Sequence, residues 1–265
     1  MSTATDKTGA NLLAHGAPTK APGKRRSSLG RYLFIPTLCL VALIGLYIAV
    51  STRELSSGEQ NRLGFGYILT KLREHLELTA VSTVLVLAIA IPLGILLTRP
   101  FARAITPPAI AVFNIGQAVP SIGLIVLLAI VYDIGFWPVV IALVAYTVLP
   151  VLRNTMVGLR QVDESVIESA RGMGMTKAAV LTRIELPLAV PIIMAGLRTA
   201  LTINVGTATL GAFVGAGGLG ELIVAGFVQN KQLITVVGAV IVSVLALLID
   251  YLAGIAEDKL RPRGL

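Results

Sequence analysis

Long runs without a charged residue alternate with short charged stretches along this chain. A transmembrane helix needs about 20 mainly apolar residues, and each run is close to that length. The fifth run extends backwards through Arg198 to about Pro187. The pattern therefore predicts an all-α membrane protein with about six transmembrane helices. The charge-free runs are 32–52, 78–98, 104–132, 134–152, 199–220 and 232–249.

Local signals refine these runs into helix boundaries. Pro107 and Pro108 indicate the start of the third helix, and Trp137 is typical of the aromatic belt at an outer helix end. The segment 67–77 alternates apolar and charged residues, so we expect a separate amphipathic helix there on the outer surface. The expected transmembrane helices are 33–51, 78–98, 107–133, 136–153, 188–214 and 232–252.

The net charge of +8 raises the question of a nucleic-acid partner, but its distribution argues against one. Sixteen of the 22 Lys and Arg residues fall in the terminal tails, the loop 99–103 and the central loop. A six-helix topology places these segments on one side, and the positive-inside rule makes that side cytoplasmic. We therefore expect both termini in the cytoplasm and no nucleic-acid partner.

The two ends of the chain are expected to be cytoplasmic tails. Residues 1–31 are rich in small and basic residues, which predicts disorder. The run 32–52 follows a long charged lead, which favours a retained transmembrane anchor over a cleaved signal peptide. Residues 256–265 are expected to form the second tail.

No catalytic or metal centre is predicted. Cys39 is the only cysteine and lies in the first apolar run, while His15 and His75 are far apart in the sequence. Both histidines are expected to be ordinary polar residues.

A glycine-rich segment at 211–220 follows the fifth helix. Gly215, Gly217 and Gly220 have the spacing of G-x-G-x-x-G, but a dinucleotide site requires a preceding strand within a βαβ unit. The preceding segment here is membrane-embedded. We expect a re-entrant turn near the outer mouth of a pathway, or close helix packing through small residues.

The central loop has the signals of a short helix. Asp163 is a good N-cap, so a helix is predicted over about 164–173. Gly174 can adopt the left-handed conformation that ends a helix, and Met175 can pack back onto it.

A second short helix is predicted over about 177–185, capped by Thr176, with re-entry into the membrane at Pro187. Exposed methionines and small residues favour a surface on which a partner docks. The alternative is a solvated loop without a partner.

The same loop resembles a known motif. The spacing of Glu168-Ser169-Ala170, then Gly174, then Ile184-x-Leu186-Pro187 is similar to the EAA motif of ATP-binding-cassette (ABC) importer permeases. The sequence departs from that motif at Ser169, where alanine is usual, and serine is nearly as small.

Three further segments, 117–123, 149–155 and 206–220, look most like the permeases of glycine betaine/carnitine/choline importers. Permeases for methionine and other small molecules share part of this pattern. The resemblance implies a five-helix type I importer core within a permease domain at 67–255, with a coupling segment at 163–186. Some relatives carry a fused binding domain, which is expected here on a separate protein.

The resemblance implies a non-enzymatic subunit in the bacterial inner membrane. Its expected partners are two ABC ATPase subunits, a second permease chain, an extracytoplasmic substrate-binding protein and membrane lipid. The chain needs no cofactor, because ATP and Mg²⁺ would bind the ATPase subunits. The residues expected in the ATPase groove are Glu168, Ser169, Ala170, Arg171, Gly172, Met173, Gly174 and Met175.

Polar residues at membrane depth are candidates for the translocation path. The alternative for each is an interhelical hydrogen bond without solute contact. Arg198 is an intramembrane charge with a carboxylate or water as its expected partner. No aromatic cage for a quaternary ammonium is evident, so selectivity is expected in the binding protein. The path candidates are Asn114, Gln117, Ser121, Thr202, Asn204, Thr207 and Thr209.

The leading interpretation is therefore an importer permease for an osmoprotectant. Methionine, another amino acid or a sulfonate are the alternative solutes. A secondary transporter is a weaker hypothesis because the spans hold almost no acidic residue for an ion relay apart from Asp250. A scaffold subunit without transport activity is a further alternative.

Overall fold

The computed structural model describes residues 28–260, with side chains from Tyr32 onward. The predicted tail at 1–31, with His15, lies almost wholly outside these residues, as do residues 261–265. All regular elements in this part are helical. They are α1 (Ser28–Ser51), α2 (Ser57–Leu63), α3 (Phe65–Thr98), α4 (Thr106–Ala118), α5 (Ser121–Val131), α6 (Phe136–Arg160), α7 (Glu164–Gly172), α8 (Lys177–Val180), α9 (Leu186–Ala208), α10 (Gly220–Val228) and α11 (Gln232–Leu260).

Five helical stretches are long and apolar enough to cross a membrane. A sixth span results if the bent pair α4 and α5 is counted as one. The expectation of an all-α protein with about six spans is confirmed in that form.

The second span is longer than predicted. The amphipathic helix expected at 67–77 and the span expected at 78–98 form the single helix α3 of 34 residues. No helix-breaking residue separates the two parts. One buried face continues through the junction and includes His75, Leu78 and Thr79.

The prediction of one continuous third helix over 107–133 is wrong. The chain breaks between α4 and α5, whose axes meet at 93°. Val119 has an extended backbone with ψ 134°, and Pro120 follows it. The helical conformation is disfavoured for the residue before a proline, so the chain can break at this position.

Helices α6 and α11 extend past the predicted ends. The first reaches Arg160 instead of residue 153, and the second reaches Leu260 instead of residue 252. Residues 256–260, expected in a tail, are therefore helical. The apolar run reflects only the part of a helix that lies in lipid, so a helix can extend beyond it into water.

The core forms where α3 and α9 approach α6. Small residues allow close contact, because a Cβ at Gly94 would meet the Thr155 side chain and one at Gly196 would meet Asn154. Buried residues of α3 and α6, among them Val86, Leu149 and Leu152, fill the space between them. Helix α1 lies at the edge of this bundle, where it contacts α11.

Candidate functional site

Helix α7 is held at its start by the residue that the sequence predicts. The Ser165 N–H donates to Asp163 Oδ1 at 2.9 Å, and Glu164 occupies the first turn. Hydrogen bonds from the Ser165 side chain and backbone lower the pKa of the Asp163 carboxyl. An ionised carboxylate therefore caps the helix at neutral pH.

The end of α7 also follows the prediction. Gly174 has φ +86°, the left-handed conformation that favours glycine. The Met175 N–H donates to the Ala170 carbonyl at 3.2 Å, and the Gly174 N–H donates to the Arg171 carbonyl at 2.9 Å. This pair of bonds is a Schellman motif, which satisfies carbonyls that a helix end leaves free.

The outer face of α7 combines charge, small side chains and an exposed methionine. Glu168, Ser169, Arg171 and Gly172 are exposed, and Met173 is 77% exposed. Ala170 differs from the expectation, since it is only 1% exposed and packs inward. It anchors the helix, while its neighbours form the free surface.

The second helix predicted over about 177–185, with re-entry into the membrane at Pro187, is not a separate element. Thr176 caps α8 as expected, accepting from the Ala179 N–H at 3.2 Å. A π-helical turn, Leu181–Glu185, then joins α8 to α9. The result is one continuous span from Lys177 to Val214.

The π-helical turn has an identifiable cause. Pro187 has no N–H, so it cannot continue the normal hydrogen-bond ladder of an α-helix. The Leu186 N–H instead donates to the Leu181 carbonyl, one residue further back than in an α-helix. The wider turn lets the helix pass through the proline without breaking.

A buried ion pair fastens this turn to α3. Glu185 is 4% exposed, and its Oε2 lies 2.7 Å from Arg99 Nη2. The second pair of atoms, Arg99 Nη1 and Glu185 Oε1, is 3.4 Å apart. Arg99 is itself fixed at the end of α3, where its backbone N–H donates to the Leu96 carbonyl. Sequence reasoning missed this pair.

Two polar path candidates hold α4 against α6. Gln117 Nε2 donates to the Tyr146 carbonyl at 2.7 Å. That carbonyl is free because Pro150, four residues later, has no N–H to offer it. One turn away on α4, Asn114 Oδ1 accepts from Arg153 Nη2 at 2.8 Å.

Asn204 lies in the protein interior and does not face a cavity. It is 0% exposed, donates to Thr83 Oγ1 at 3.1 Å and accepts from Thr147 Oγ1 at 3.2 Å. This arrangement fits the interhelical hydrogen-bonding alternative.

The remaining path candidates are partly or fully exposed. Ser121 and Thr207 are half-buried. The hydroxyls of Thr202 and Thr209 donate to backbone carbonyls of their own helical segment, those of Arg198 and Gly206.

Arg198 has two carboxylate partners, which sequence reasoning left unnamed. Its guanidinium meets Asp250 through two hydrogen bonds of 2.9 and 3.0 Å, and Glu257 through one of 3.1 Å. All three residues are only partly buried. A cavity of about 410 Å³ opens beside Arg198, and Thr199 and Thr202 line it.

The glycine-rich segment forms a turn against the opposite end of α3. Gly215, Gly217 and Gly218 all have positive φ, and a Cβ at Gly217 would overlap the Glu74 carboxylate. The Gly218 N–H donates to Glu74 Oε2 at 2.8 Å. A 3₁₀ turn, Thr209–Val214, precedes this turn, and α10 follows it.

His75 lies beneath that turn and is fully buried. Its Nε2 lies 3.0 Å from the Val205 carbonyl oxygen. It therefore links α3 to α9 and is not a surface residue.

The chain is similar to a known family and to several of its members. The family described as "Binding-protein-dependent transport system inner membrane component" matches residues 90–262. The choline transport system permease protein OpuBB of Bacillus subtilis (strain 168) is 41% identical over 76% of this chain and 91% of its own length. The glycine betaine/carnitine/choline permease OpuCB of the same organism is 40% identical over the same shares.

Two further proteins are similar to the chain at lower identity. The osmoprotectant import permease OsmY of Salmonella typhimurium is 35% identical and covers 85% of this chain and 94% of its own length. Among solved structures, the inward-facing MetNI methionine ABC transporter superposes with a TM-score of 0.65 at 26% identity. That match covers 74% of this chain and 96% of the MetNI chain.

The family match covers more than half of the chain, and the matches to OpuBB, OpuCB and OsmY cover about three quarters of it or more. They describe a non-catalytic permease component without a cofactor of its own. The chain is therefore a multi-pass inner-membrane protein and belongs to the family of binding-protein-dependent transport system inner membrane components.

Proposed function

We propose that this chain is the permease subunit of an ABC importer for a quaternary-ammonium osmoprotectant of the glycine betaine, choline or carnitine type. The observation that carries the solute class is the identity of 41% and 40% with permeases for such solutes over 76% of the chain. A separate ATPase supplies the energy and binds ATP and Mg²⁺. A separate extracytoplasmic protein delivers the solute.

In this proposal, the exposed face of α7 docks on the ATPase. The helix is capped at both ends, so it presents a preformed surface. Met173 supplies an adaptable apolar contact, and Glu168 and Arg171 orient it by charge. The turn at Gly174 and Met175 completes the surface. This face lies in the cytoplasm. With α4 and α5 counted as one span, four spans precede it and two follow it, so both termini lie in the cytoplasm as well.

Movement of α7 reaches the membrane through covalent continuity and one ion pair. The chain passes from α7 through a tight turn into the uninterrupted span 177–214. The Arg99–Glu185 pair joins the start of that span to α3. A displacement imposed by the ATPase therefore acts on both helices at once.

The solute passes along the polar face of α9, between this chain and a second permease chain. Thr202 and the cavity beside Arg198 lie on that face. Ser121, Thr207, Thr209 and Asn114 are further candidates because each is at least partly exposed. Asn204 is left out because its hydrogen bonds are satisfied inside the bundle. Gln117 is left out as well, because its side chain bonds α4 to α6.

Selectivity resides mainly in the binding protein. A quaternary ammonium is held best by several aromatic faces. Between Tyr32 and Leu260 the one close pair of aromatic rings is Phe136 with Trp137, at the end of α6. A path without an aromatic cage also lets the solute leave quickly.

A methionine or other amino-acid permease is the second candidate. The structural similarity to the MetNI methionine transporter, with 26% identity, favours it. The higher identity to osmoprotectant permeases places it second.

Uptake into proteoliposomes tests the solute class. The permease is reconstituted with its ATPase and binding protein, and ATP-dependent uptake of labelled glycine betaine, choline, carnitine, proline and methionine is compared. We expect uptake of at least one quaternary-ammonium solute and none of methionine. Uptake of methionine alone would contradict the proposal and support the second candidate, an amino-acid permease.

A further inference from the structure

A basic cavity lies at the end of the bundle that carries α7. Its volume is about 540 Å³, and it opens between the end of α3, the start of α4 and the end of α6. Helices α3 and α6 run in the same direction, since Gly94 lies against Thr155 and, earlier in both helices, Thr83 and Thr147 both bond Asn204. Their last residues are therefore at the same level. The arginines that line the cavity are Arg99, Arg103 and Arg160.

Two of these arginines carry uncompensated charge. Arg99 is paired with Glu185, which is buried. Arg103 and Arg160 are exposed, and neither forms an ion pair within the part of the chain that the structure describes. The cavity therefore has a net charge of about +2 and attracts an anion.

The guanidinium groups are the hydrogen-bond donors that the cavity offers. The hydroxyls of Thr98 and Thr106 already donate to backbone carbonyls, those of Ile95, Leu97 and Ala102. Arginine presents a planar fork of N–H groups that matches the oxygens of a phosphate. The chemistry thus favours a phosphate group.

Exposed apolar residues are next in the sequence to residues that line the cavity. Phe101 is 72% exposed, Ile105 is 61% exposed and Leu96 is 46% exposed. These residues are at the ends of transmembrane spans, where acyl chains meet headgroups. A ligand that carries both a phosphate and acyl chains fits this combination better than a soluble phosphate does.

We propose that this cavity binds the headgroup of an anionic phospholipid, with its phosphate between Arg103 and Arg160 and its acyl chains along Phe101 and Ile105. Basic pockets at the ends of membrane helices recognise such headgroups. A zwitterionic lipid is disfavoured because its ammonium group would find no free carboxylate; Glu185 is occupied by Arg99. The inference does not depend on which solute the protein carries.

The test measures lipid binding to the purified protein in detergent. Short-chain phosphatidylglycerol, phosphatidylcholine and inorganic phosphate are titrated separately, and the bound fraction is read by native mass spectrometry. We expect phosphatidylglycerol to bind at least about tenfold more tightly than the other two. In the double variant Arg103→Gln/Arg160→Gln, the Kd for phosphatidylglycerol should rise about tenfold or more.

A matched control separates the cavity from general charge. The double variant Arg53→Gln/Arg73→Gln removes the same charge from exposed arginines at the opposite end of the bundle, and its lipid affinity should be unchanged. If the cavity variant does not fold, the single variants Arg103→Gln and Arg160→Gln replace it.

Several outcomes would overturn the proposal. Equal losses in both double variants would show general electrostatic attraction. Equal binding of phosphatidylcholine, or phosphate binding as tight as phosphatidylglycerol binding, would exclude an anionic-lipid site. If the cavity variant lost its association with the ATPase but bound lipid normally, these two arginines would form an ATPase contact instead.

Discussion

At the scale of single residues, polar side chains within the membrane bond backbone carbonyls around Pro150. Gln117 donates to the Tyr146 carbonyl, which Pro150 leaves without an N–H partner. Asn154 Nδ2 gives the carbonyl of Pro150 itself a side-chain donor at 2.8 Å. Lipid offers no alternative partner for a free carbonyl. These residues were path candidates or unassigned by sequence, because polarity at membrane depth fits both roles.

Replacing Gln117 tests that role. Gln117→Leu removes the donor and leaves the Tyr146 carbonyl unpaired, so we expect a loss of about 1 kcal/mol in the free energy of unfolding. Unfolding in mixed micelles measures it. Thr202→Val is the control, because its hydroxyl bonds within its own helix and its loss should cost less. Lost uptake with unchanged stability would make Gln117 a solute contact.

The cap of α7 gives a pH prediction. The folded-state pKa of Asp163 is lowered by its hydrogen bonds to Ser165. The cap therefore contributes stability above the ordinary pKa of about 3.9, and this stability is lost as the pH falls through the lower folded value. Between pH 8 and 5 this carboxyl stays ionised, so its titration should not change docking.

Carbon NMR of aspartate-labelled protein measures that titration, with Asp163→Asn assigning the signal. We expect a midpoint below the ordinary value, and Ser165→Ala should move it back upwards. A midpoint at or above the ordinary value would contradict the cap.

At the scale of elements, local signals identified the ends of α7 but not the partners of charged residues. Asp163, Gly174 and Thr176 act within a few positions of themselves, so their roles were predictable. Glu185 and Arg99 are 86 positions apart, and Arg198 is 52 positions from Asp250. Spacing along the chain does not show which helices pack together.

Prolines illustrate the same limit. Pro92, Pro150 and Pro191 lie inside helices, whereas Pro120 follows a break. The nearby sequence does not distinguish these cases, because neighbouring helices decide whether the freed carbonyl finds a partner. The bend of 93° between α4 and α5 was therefore missed.

The Arg99–Glu185 pair makes an element-scale prediction. Arg99→Gln leaves a buried carboxylate without its partner, so we expect a loss of about 3 kcal/mol in the free energy of unfolding. The double variant Arg99→Gln/Glu185→Gln removes both charges and should lose less than Arg99→Gln alone. Arg103→Gln, which breaks no ion pair among the described residues, is the control.

The same variants report on coupling. If the pair transmits movement, the neutral double variant should regain stability but transport fewer solute molecules per ATP hydrolysed. Additive losses in stability, or normal transport in every variant, would show that the pair does not link α3 to the coupling segment.

At the scale of the whole molecule, charge-free runs were sufficient to predict a helical membrane protein, because lipid permits few other structures. They did not predict how far the helices extend into water or that one span is broken. The motif at 168–187 pointed to an ATPase partner because its spacing and its caps agree. The solute class is inferred from similarity to relatives, since the described residues form no cage of aromatic side chains that would indicate it.

The central claim is that α7 and its turn couple this permease to an ATPase. The most direct measurement is ATP-dependent uptake together with ATPase co-purification for Gly174→Trp and Gly135→Trp. Both glycines have positive φ, and a Cβ added at either would meet no other atom within 4 Å. Gly135, with φ +125° and ψ −143°, tolerates a side chain less well than Gly174, so it is a strict control for backbone strain. Glu168→Arg repeats the test without a demand on the backbone, with Glu77→Arg as its control.

We expect Gly174→Trp and Glu168→Arg to lose ATP-dependent uptake and ATPase association, while Gly135→Trp and Glu77→Arg retain both with normal membrane insertion. Retention of uptake and association in Gly174→Trp and Glu168→Arg, or an equal loss in the two controls, would contradict the claim.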